Sequence, residues 1–299
     1  MALGSGKYTY ELTPNWAKVP EGWDLVQVTD VAVDSRDRVY MFNRGIHPVV
    51  IFDRDGSFIT SWGESPLFGD GYFKHPHGIY MGPGDTVYLS DDNTHQVFKF
   101  TRDGKLLQKW GEKFSPGVAF YHRPFNMPTG IALNPAGEMF VSDGYGNHSI
   151  HKYDTKGEHV LTWGEYGTGP GQFFLVHNVG VDSRSRVYVC DREANRVQIF
   201  DGAGKFITQW TDVNMPGDLF IRKEGRSEIV YLTEMGGKKG PCRVGVWNTS
   251  GECLSRWDGA SGEGKDSIKS PHGIWVDSHG AIYVAELNPA RVQKFKKVG

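Results

Sequence analysis

Apolar and polar positions change over in short runs along this chain, and glycine punctuates them. The stretch VVIFDRDGSFITSW, residues 49–62, is an apolar run, a turn built on glycine, and a second run ending in tryptophan. Runs of this length, rich in Val, Ile, Phe and Tyr, predict strands, and the glycine turn between them predicts a hairpin. The same phrase returns as VFKFTRDGKLLQKW (97–110), IHKYDTKGEHVLTW (150–163), VQIFDGAGKFITQW (197–210) and VGVWNTSGECLSRW (244–257). Its closing tryptophans, Trp62, Trp110, Trp163, Trp210 and Trp257, are 48, 53, 47 and 47 residues apart. A second strand–turn–strand phrase lies upstream of each hairpin, starting at Val28, Pro76, Pro128, Val176 and Pro216, with a sixth copy at Pro271. One unit therefore holds four strands, and six units fill the chain.

Four-stranded antiparallel units at this period are propeller blades. The expected fold is all-β: a six-bladed β-propeller forming a single domain over residues 1–299. The sixth unit stops at VQKFKKVG, without an outer strand or its tryptophan. Residues 1–24 are expected to serve as closing strand and lead-in. KYTYELTPNW supplies the strand, with Trp16 in the missing place. That closes the ring and leaves no open edge between first and last blades. Two β-sandwiches would need a linker, and six near-equal repeats run without one.

Composition narrows the function classes. Hydrophobic residues make up 38% and charged residues 23% of the 299, a globular profile. Lys and Arg number 33 against 35 Asp and Glu, a formal net charge of −2. No basic excess points to nucleic acid or an anionic membrane surface. No apolar run approaches the roughly 18 residues of a membrane helix. MALGSGKYTYEL lacks the apolar stretch of a secretory leader, so a cytoplasmic chain is expected, unless a leader has been removed. Cys190, Cys242 and Cys253 are too few and too odd in number for a disulfide framework.

Aligning the inner-strand phrases exposes candidate chemistry. Their second residues are Thr29, His77, Thr129, His177, Gly217 and His272. Histidine occupies units two, four and six. Equivalent positions on alternate blades of a six-bladed ring are 120° apart by symmetry, about which three imidazoles converge on the axis. That suits three ligands of a tetrahedral metal with an open fourth position, as in catalytic zinc sites. Zn²⁺ is favoured, with another divalent transition metal possible by ligand type. His75 and His148 are the other histidines expected near the pocket. A second column, Asn43, Asp91, Asp143, Asp191, Glu234 and Glu286, ends each second strand. It is expected to hold backbone amides at the blade tops, or else to orient the histidine rings. The segment 112–127, with Phe114, Phe120, Tyr121, His122, Arg123 and Phe125, is expected to form a wall or lid, and Met235 with the following Gly-Gly-Lys-Lys another loop.

The repeated phrases resemble the NHL repeat family of β-propellers. KHPHGIY around His77, LVHNVGV around His177 and SPHGIWV around His272 resemble the three zinc-histidine segments of peptidyl-α-hydroxyglycine α-amidating lyase. VSDGYGNHSI is similar to that family's segment with a catalytic tyrosine, here Tyr145. MFNRGIHPV is similar to the segment with a catalytic arginine, here Arg44, and VCDREANRVQIF to a segment that sets Arg192 near the mouth. Two departures are visible. Gly146 stands where the animal lyases have a disulfide cysteine. Gly273 stands where the family has an aspartate that helps to hold a structural calcium, so calcium bound in that way is not expected.

The resemblance implies a microbial-type lyase. It would cleave the C–N bond of a carbinolamide into an amide and glyoxylate, with the substrate oxygen on zinc and Tyr145 as base. Arg44 or Arg192 would stabilise the phenolate or grip the substrate carboxylate. The substrate is expected to be a small molecule or peptide-like. A zinc hydrolase of a small amide, ester or lactone is the alternative on the same residues. A non-catalytic interaction platform is the other; it would predict a basic or aromatic open face and no metal.

Overall fold

A computed structural model describes residues 2–64, 72–117, 124–237, 240–258 and 267–299. The architecture is all-β, a six-bladed β-propeller, and the described residues contain no α-helix. The chain packs as two compact units of three blades each. Gly69–Pro216 is one; Met1–Phe68 with Gly217–Gly299 is the other.

In the Gly69–Pro216 unit, the second blade runs Pro76–Gly82, Thr86–Asp91, Gln96–Phe100 and Leu106–Trp110. The third runs Pro128–Leu133, Met139–Asp143, Ser149–Tyr153 and His159–Trp163. The fourth runs Val176–Val181, Val187–Asp191, Arg196–Phe200 and Phe206–Trp210. Every pairing within these blades is antiparallel and joins neighbours in sequence. The first strand lies innermost and the last at the rim.

Burial follows that order. Met139–Asp143 and Val187–Asp191 are buried throughout, while Phe206–Trp210 is mostly open to solvent until its tryptophan. A second strand is covered on both faces by neighbouring blades, so it reads as a near-continuous apolar run. Phe140, Ile150, Val179, Val187 and Phe200 form the core between third and fourth blades. Tyr88, Val97, Ile131, Val141 and Tyr153 do so between second and third.

In the other unit the closing strand is as expected. Tyr8–Thr13 pairs antiparallel with Arg291–Lys297 and completes the sixth blade, with Tyr10 opposite Lys297 and Thr13 opposite Lys294. Ala2–Ser5 then adds a fifth strand, which the repeat pattern does not foresee because no other blade has one. Trp16 occupies the place of the missing blade tryptophan. Trp110 donates its indole N–H to the carbonyl of Gly157 in the next blade's hairpin turn, at 2.8 Å. Trp16 donates in the same way to Arg54, in the first blade's hairpin turn, at 2.9 Å. Its buried ring packs on Phe52 and Tyr283, with centroids 5.7 and 5.1 Å away.

Because Trp16 joins the sixth blade to the first, Trp16→Ala is expected to cost about 3–5 kcal/mol, as for other buried Trp truncations. Ile59→Ser, on an exposed rim strand, should change stability by less than about 0.5 kcal/mol. Urea denaturation of both variants checks this. Equal losses would remove Trp16 as the closing residue.

Candidate functional site

The histidine column lies at a local break in strand pairing. Val176 pairs with Asp191 and Asn178 with Cys190, so the register shifts at His177. Pro271 pairs with Glu286 and Gly273 with Ala285, which leaves out His272. His77 falls inside the same break, between Pro76 opposite Asp91 and Ile79 opposite Leu89. Such a bulge turns the extra residue's side chain out of the pleat. Where the column holds threonine, the hydroxyl meets a carbonyl of its own blade, Thr29 that of Phe42 and Thr129 that of Ser142, both at 3.2 Å, and the Thr129 hydroxyl also lies 3.3 Å from the Val176 carbonyl of the next blade. At His77 and His272 the ring reaches a carbonyl of the next blade. The Nδ1–H of His77 donates to the Thr129 carbonyl at 2.9 Å, and that of His272 to the Thr29 carbonyl at 2.6 Å. A carbonyl only accepts, so each bond fixes the Nδ1–H tautomer and leaves the lone pair on Nε2. His77, His177 and His272 are all buried. A buried imidazole held by a backbone carbonyl on Nδ1 is the donor type that ligates divalent transition metals.

The acidic column has the structural role. Asp91 accepts from the amides of Lys74, His75 and Thr94. Asp191 accepts from Phe174 and Leu175, and from Arg196 Nε at 2.8 Å. Glu286 accepts from Lys269 and Ser270. These carboxylates fasten the lead-in to each inner strand, and their partners are amides and arginines. Burial pushes the Asp91 and Asp191 carboxyls above the usual range, while the amide bonds pull them back.

The Gly69–Pro216 unit brings four of the expected site residues together. The Tyr145 hydroxyl donates to His77 Nε2 at 3.1 Å. Arg192 Nη1 donates to the same oxygen at 3.3 Å, and the guanidinium stands 5.6 Å from the tyrosine ring centroid. His177 lies against both rings, with centroids 5.0 Å from His77 and 5.9 Å from Tyr145. The Tyr145 loop reaches this place because residue 144 is glycine, where a Cβ would overlap the carbonyl oxygen of Val176. Asp143 anchors the loop by accepting from Asn126 N, Asn147 Nδ2 and His151 Nε2. Arg192 holds Glu193 as well, through Nε at 3.0 Å and Nη2 at 2.9 Å.

The other unit holds the remaining two. His272 is described above. Arg44 follows the strand Val39–Asn43; its amide bonds to the Val26 carbonyl and its Nη1 donates to Gln27 Oε1 at 2.7 Å. His75 donates Nδ1–H to the buried Asp92 carboxylate at 2.7 Å. His148 packs its ring on Tyr166 instead. Of the expected lid, Phe114 is exposed but Phe125 is core, packed on His151 and Tyr153. Phe120, Tyr121, His122 and Arg123, with Lys238 and Lys239, lie outside the described residues. The pairing of Arg192 with Glu193 and the carbonyl anchors of the histidines escaped the sequence reading. The bulge that frees the histidines carries no residue signature of its own.

Comparison with known proteins adds three findings. The NHL repeat model matches residues 73–100 and 125–153. Human NHL repeat-containing protein 3 is 28% identical over 97% of this chain and 84% of its own length. Peptidyl-alpha-hydroxyglycine alpha-amidating lyase 1 of Drosophila melanogaster is 34% identical over 58% of this chain, and 35% of that protein is covered. Among solved structures, virginiamycin B lyase from Staphylococcus aureus superimposes with a TM-score of 0.61 at 14% identity, covering 97% of this chain and all of that one; this likeness is one of fold.

The support role of the acidic column is testable at Asp191. Asp191→Ala removes the acceptor for two amides and leaves the buried Arg196 without its carboxylate. It is expected to destabilise the fold by about 3–5 kcal/mol. Loss of less than about 1 kcal/mol in urea denaturation would show that Asp191 does not hold the lead-in.

Proposed function

We propose that the protein is a metal-dependent lyase acting on an N-acyl-α-hydroxyglycine, a small or peptide-like carbinolamide, and releasing an amide and glyoxylate. The observation that carries this reading is the Tyr145 hydroxyl, set between His77 Nε2 at 3.1 Å and Arg192 Nη1 at 3.3 Å; a metal held by that Nε2 would take its lone pair and leave Arg192 as the partner of the Tyr145 oxygen. Similarity to the amidating lyase of Drosophila supports the same class.

His77, His177 and His272 would hold one divalent metal, zinc by ligand type. The donor set fits: three buried imidazoles at one register position of alternate blades. When bound, such a metal supplies Lewis-acid polarisation of a substrate oxygen. The remaining chemistry belongs to side chains. The reaction moves the hydroxyl proton to the amide nitrogen as the C–N bond breaks and the carbonyl of glyoxylate forms. Tyr145, once its own proton has been given up to solvent, takes the substrate proton on its phenolate oxygen and passes it to the leaving nitrogen, which restores the phenolate. Arg192 balances the charge of that phenolate before it takes the proton and after it gives the proton up. Arg44 is proposed to grip the substrate carboxylate, for which a guanidinium offers a bidentate fork.

Human NHL repeat-containing protein 3, similar over nearly the whole chain, has a name that states no activity, so an interaction platform is the second reading. A platform would not need a tyrosine poised between imidazole and guanidinium.

Elemental analysis of tag-free protein should find about one zinc per chain. His177→Ala should lose the metal and keep the fold. Tyr145→Phe should keep the metal while kcat for α-hydroxyhippurate, followed as glyoxylate, falls about a hundredfold or more. Metal-free wild type after reconstitution with divalent ions would overturn the reading. An unchanged rate in Tyr145→Phe would remove Tyr145 as the base.

A further inference from the structure

An aromatic surface adjoins Tyr145 and Arg192 in the Gly69–Pro216 unit, and the lyase chemistry leaves it unused. Phe174 is 42% exposed and Tyr166 is 61% exposed, with ring centroids 5.5 Å apart. The His148 ring lies 5.0 Å from Tyr166. Large rings left open to water at this level cost hydration free energy, and a contiguous group of them marks a contact surface.

The group is built, not incidental. Glu165–Tyr166 and Gln172–Phe173 form a short parallel pair. Gln172 ties the loop by accepting from the Gly169 amide and donating to Glu165. Phe173 is fully buried in the core between third and fourth blades, so the next residue, Phe174, points the other way, to solvent. At Gly164, with φ of +102°, the chain packs against the His148 carbonyl, closer than a side chain allows. These contacts bring the Tyr166 loop against the Tyr145 loop.

The same surface continues into the candidate site. Asp191 holds the amide of Phe174 at 2.9 Å, and the Arg192 amide bonds to the Leu175 carbonyl at 2.9 Å. Phe174 thus stands beside the arginine that touches Tyr145, three residues ahead of His177. We infer that Tyr166 and Phe174 form the acyl-side subsite of the lyase, which receives an aromatic group on the amide half of the carbinolamide. The inference rests on the lyase reading for the identity of the substrate. The occupant is aromatic because edge-to-face and offset ring pairs reward a flat ring above what area alone gives. The occupant is on the amide half because the carboxylate half needs a guanidinium, and the one beside Phe174, that of Arg192, is engaged by Tyr145 and Glu193.

The test compares N-benzoyl with N-acetyl-α-hydroxyglycine in the metal-loaded enzyme and in a Tyr166→Ala, Phe174→Ala double variant. The KM for the benzoyl substrate should rise about tenfold with kcat unchanged, while the acetyl substrate keeps both constants. Calorimetric titration with hippurate, which lacks the hydroxyl and cannot react, reads the same contact without turnover. Its Kd should weaken by about the same factor. Equal loss for both substrates, or hippurate binding unaltered by the double variant, overturns the subsite. Hippurate binding that depends on both rings, in a wild-type protein that cleaves neither carbinolamide, upholds the subsite and overturns the lyase reading alone.

Discussion

Each bulged inner strand opens with more residues than its neighbour can pair, and the chemistry of the fold depends on where the unmatched side chain goes. A threonine there keeps its hydroxyl within reach of a carbonyl of its own blade, and that of Thr129 also lies 3.3 Å from the Val176 carbonyl of the next. A histidine is too long for the bond to its own blade. Its Nδ1–H crosses to the inner strand of the next blade, as from His77 to Thr129 and from His272 to Thr29. One hydrogen bond then does two things: it joins blades, and it selects the tautomer that leaves Nε2 basic. At His77 and His272 ring orientation and blade packing therefore share a cause.

The buried acids show how a repeat is varied without being broken. Asp191, Glu234 and Glu286 sit beside arginines from the third strand of their own blades: Arg196, Arg243 and Arg291. In the third blade Ser149 stands at the register position of those arginines. His151, two residues on, meets Asp143 instead, at 3.1 Å. This is the blade whose loop carries Tyr145. A permanently charged arginine at position 149 would place a second guanidinium under that loop. With histidine and neutral amides around Asp143, Arg192 is the guanidinium that reaches the Tyr145 oxygen.

How much of this was legible in the sequence follows from what repeats. Strands, hairpin turns, blade tryptophans and the histidine column recur at a fixed spacing, so each copy confirms the others. Trp16 could be assigned to a blade it is not sequential with because five other tryptophans define the place. The column was legible too, with an acid in five of the six units and Asn43 in the first, and the hydrogen bonds decide between the two roles it suggested. Features present once were not legible. The strand Ala2–Ser5 has no counterpart to align it with. The contact of Glu193 with Arg192 depends on a loop that differs from blade to blade. The exposure of Tyr166 and Phe174 depends on Phe173 taking the core position, and adjacent aromatics in a sequence do not reveal which one is buried.

Asp191 draws these levels together. Its carboxylate has no access to substrate, being fully buried. Yet it fixes the amides of Phe174 and Leu175, and so sets the path of the chain into His177. Leu175 in turn accepts the Arg192 amide, which sets the start of the loop that brings the guanidinium to Tyr145. Glu193 then holds the far edge of that guanidinium, so its orientation does not wait for a ligand. Preorganisation of this kind is what lets a side chain stabilise charge at the moment it forms, with little reorientation still to be done. A buried carboxylate repeated in the blades for a structural reason thereby becomes, in the fourth blade, the common support of a histidine, an arginine and an aromatic surface.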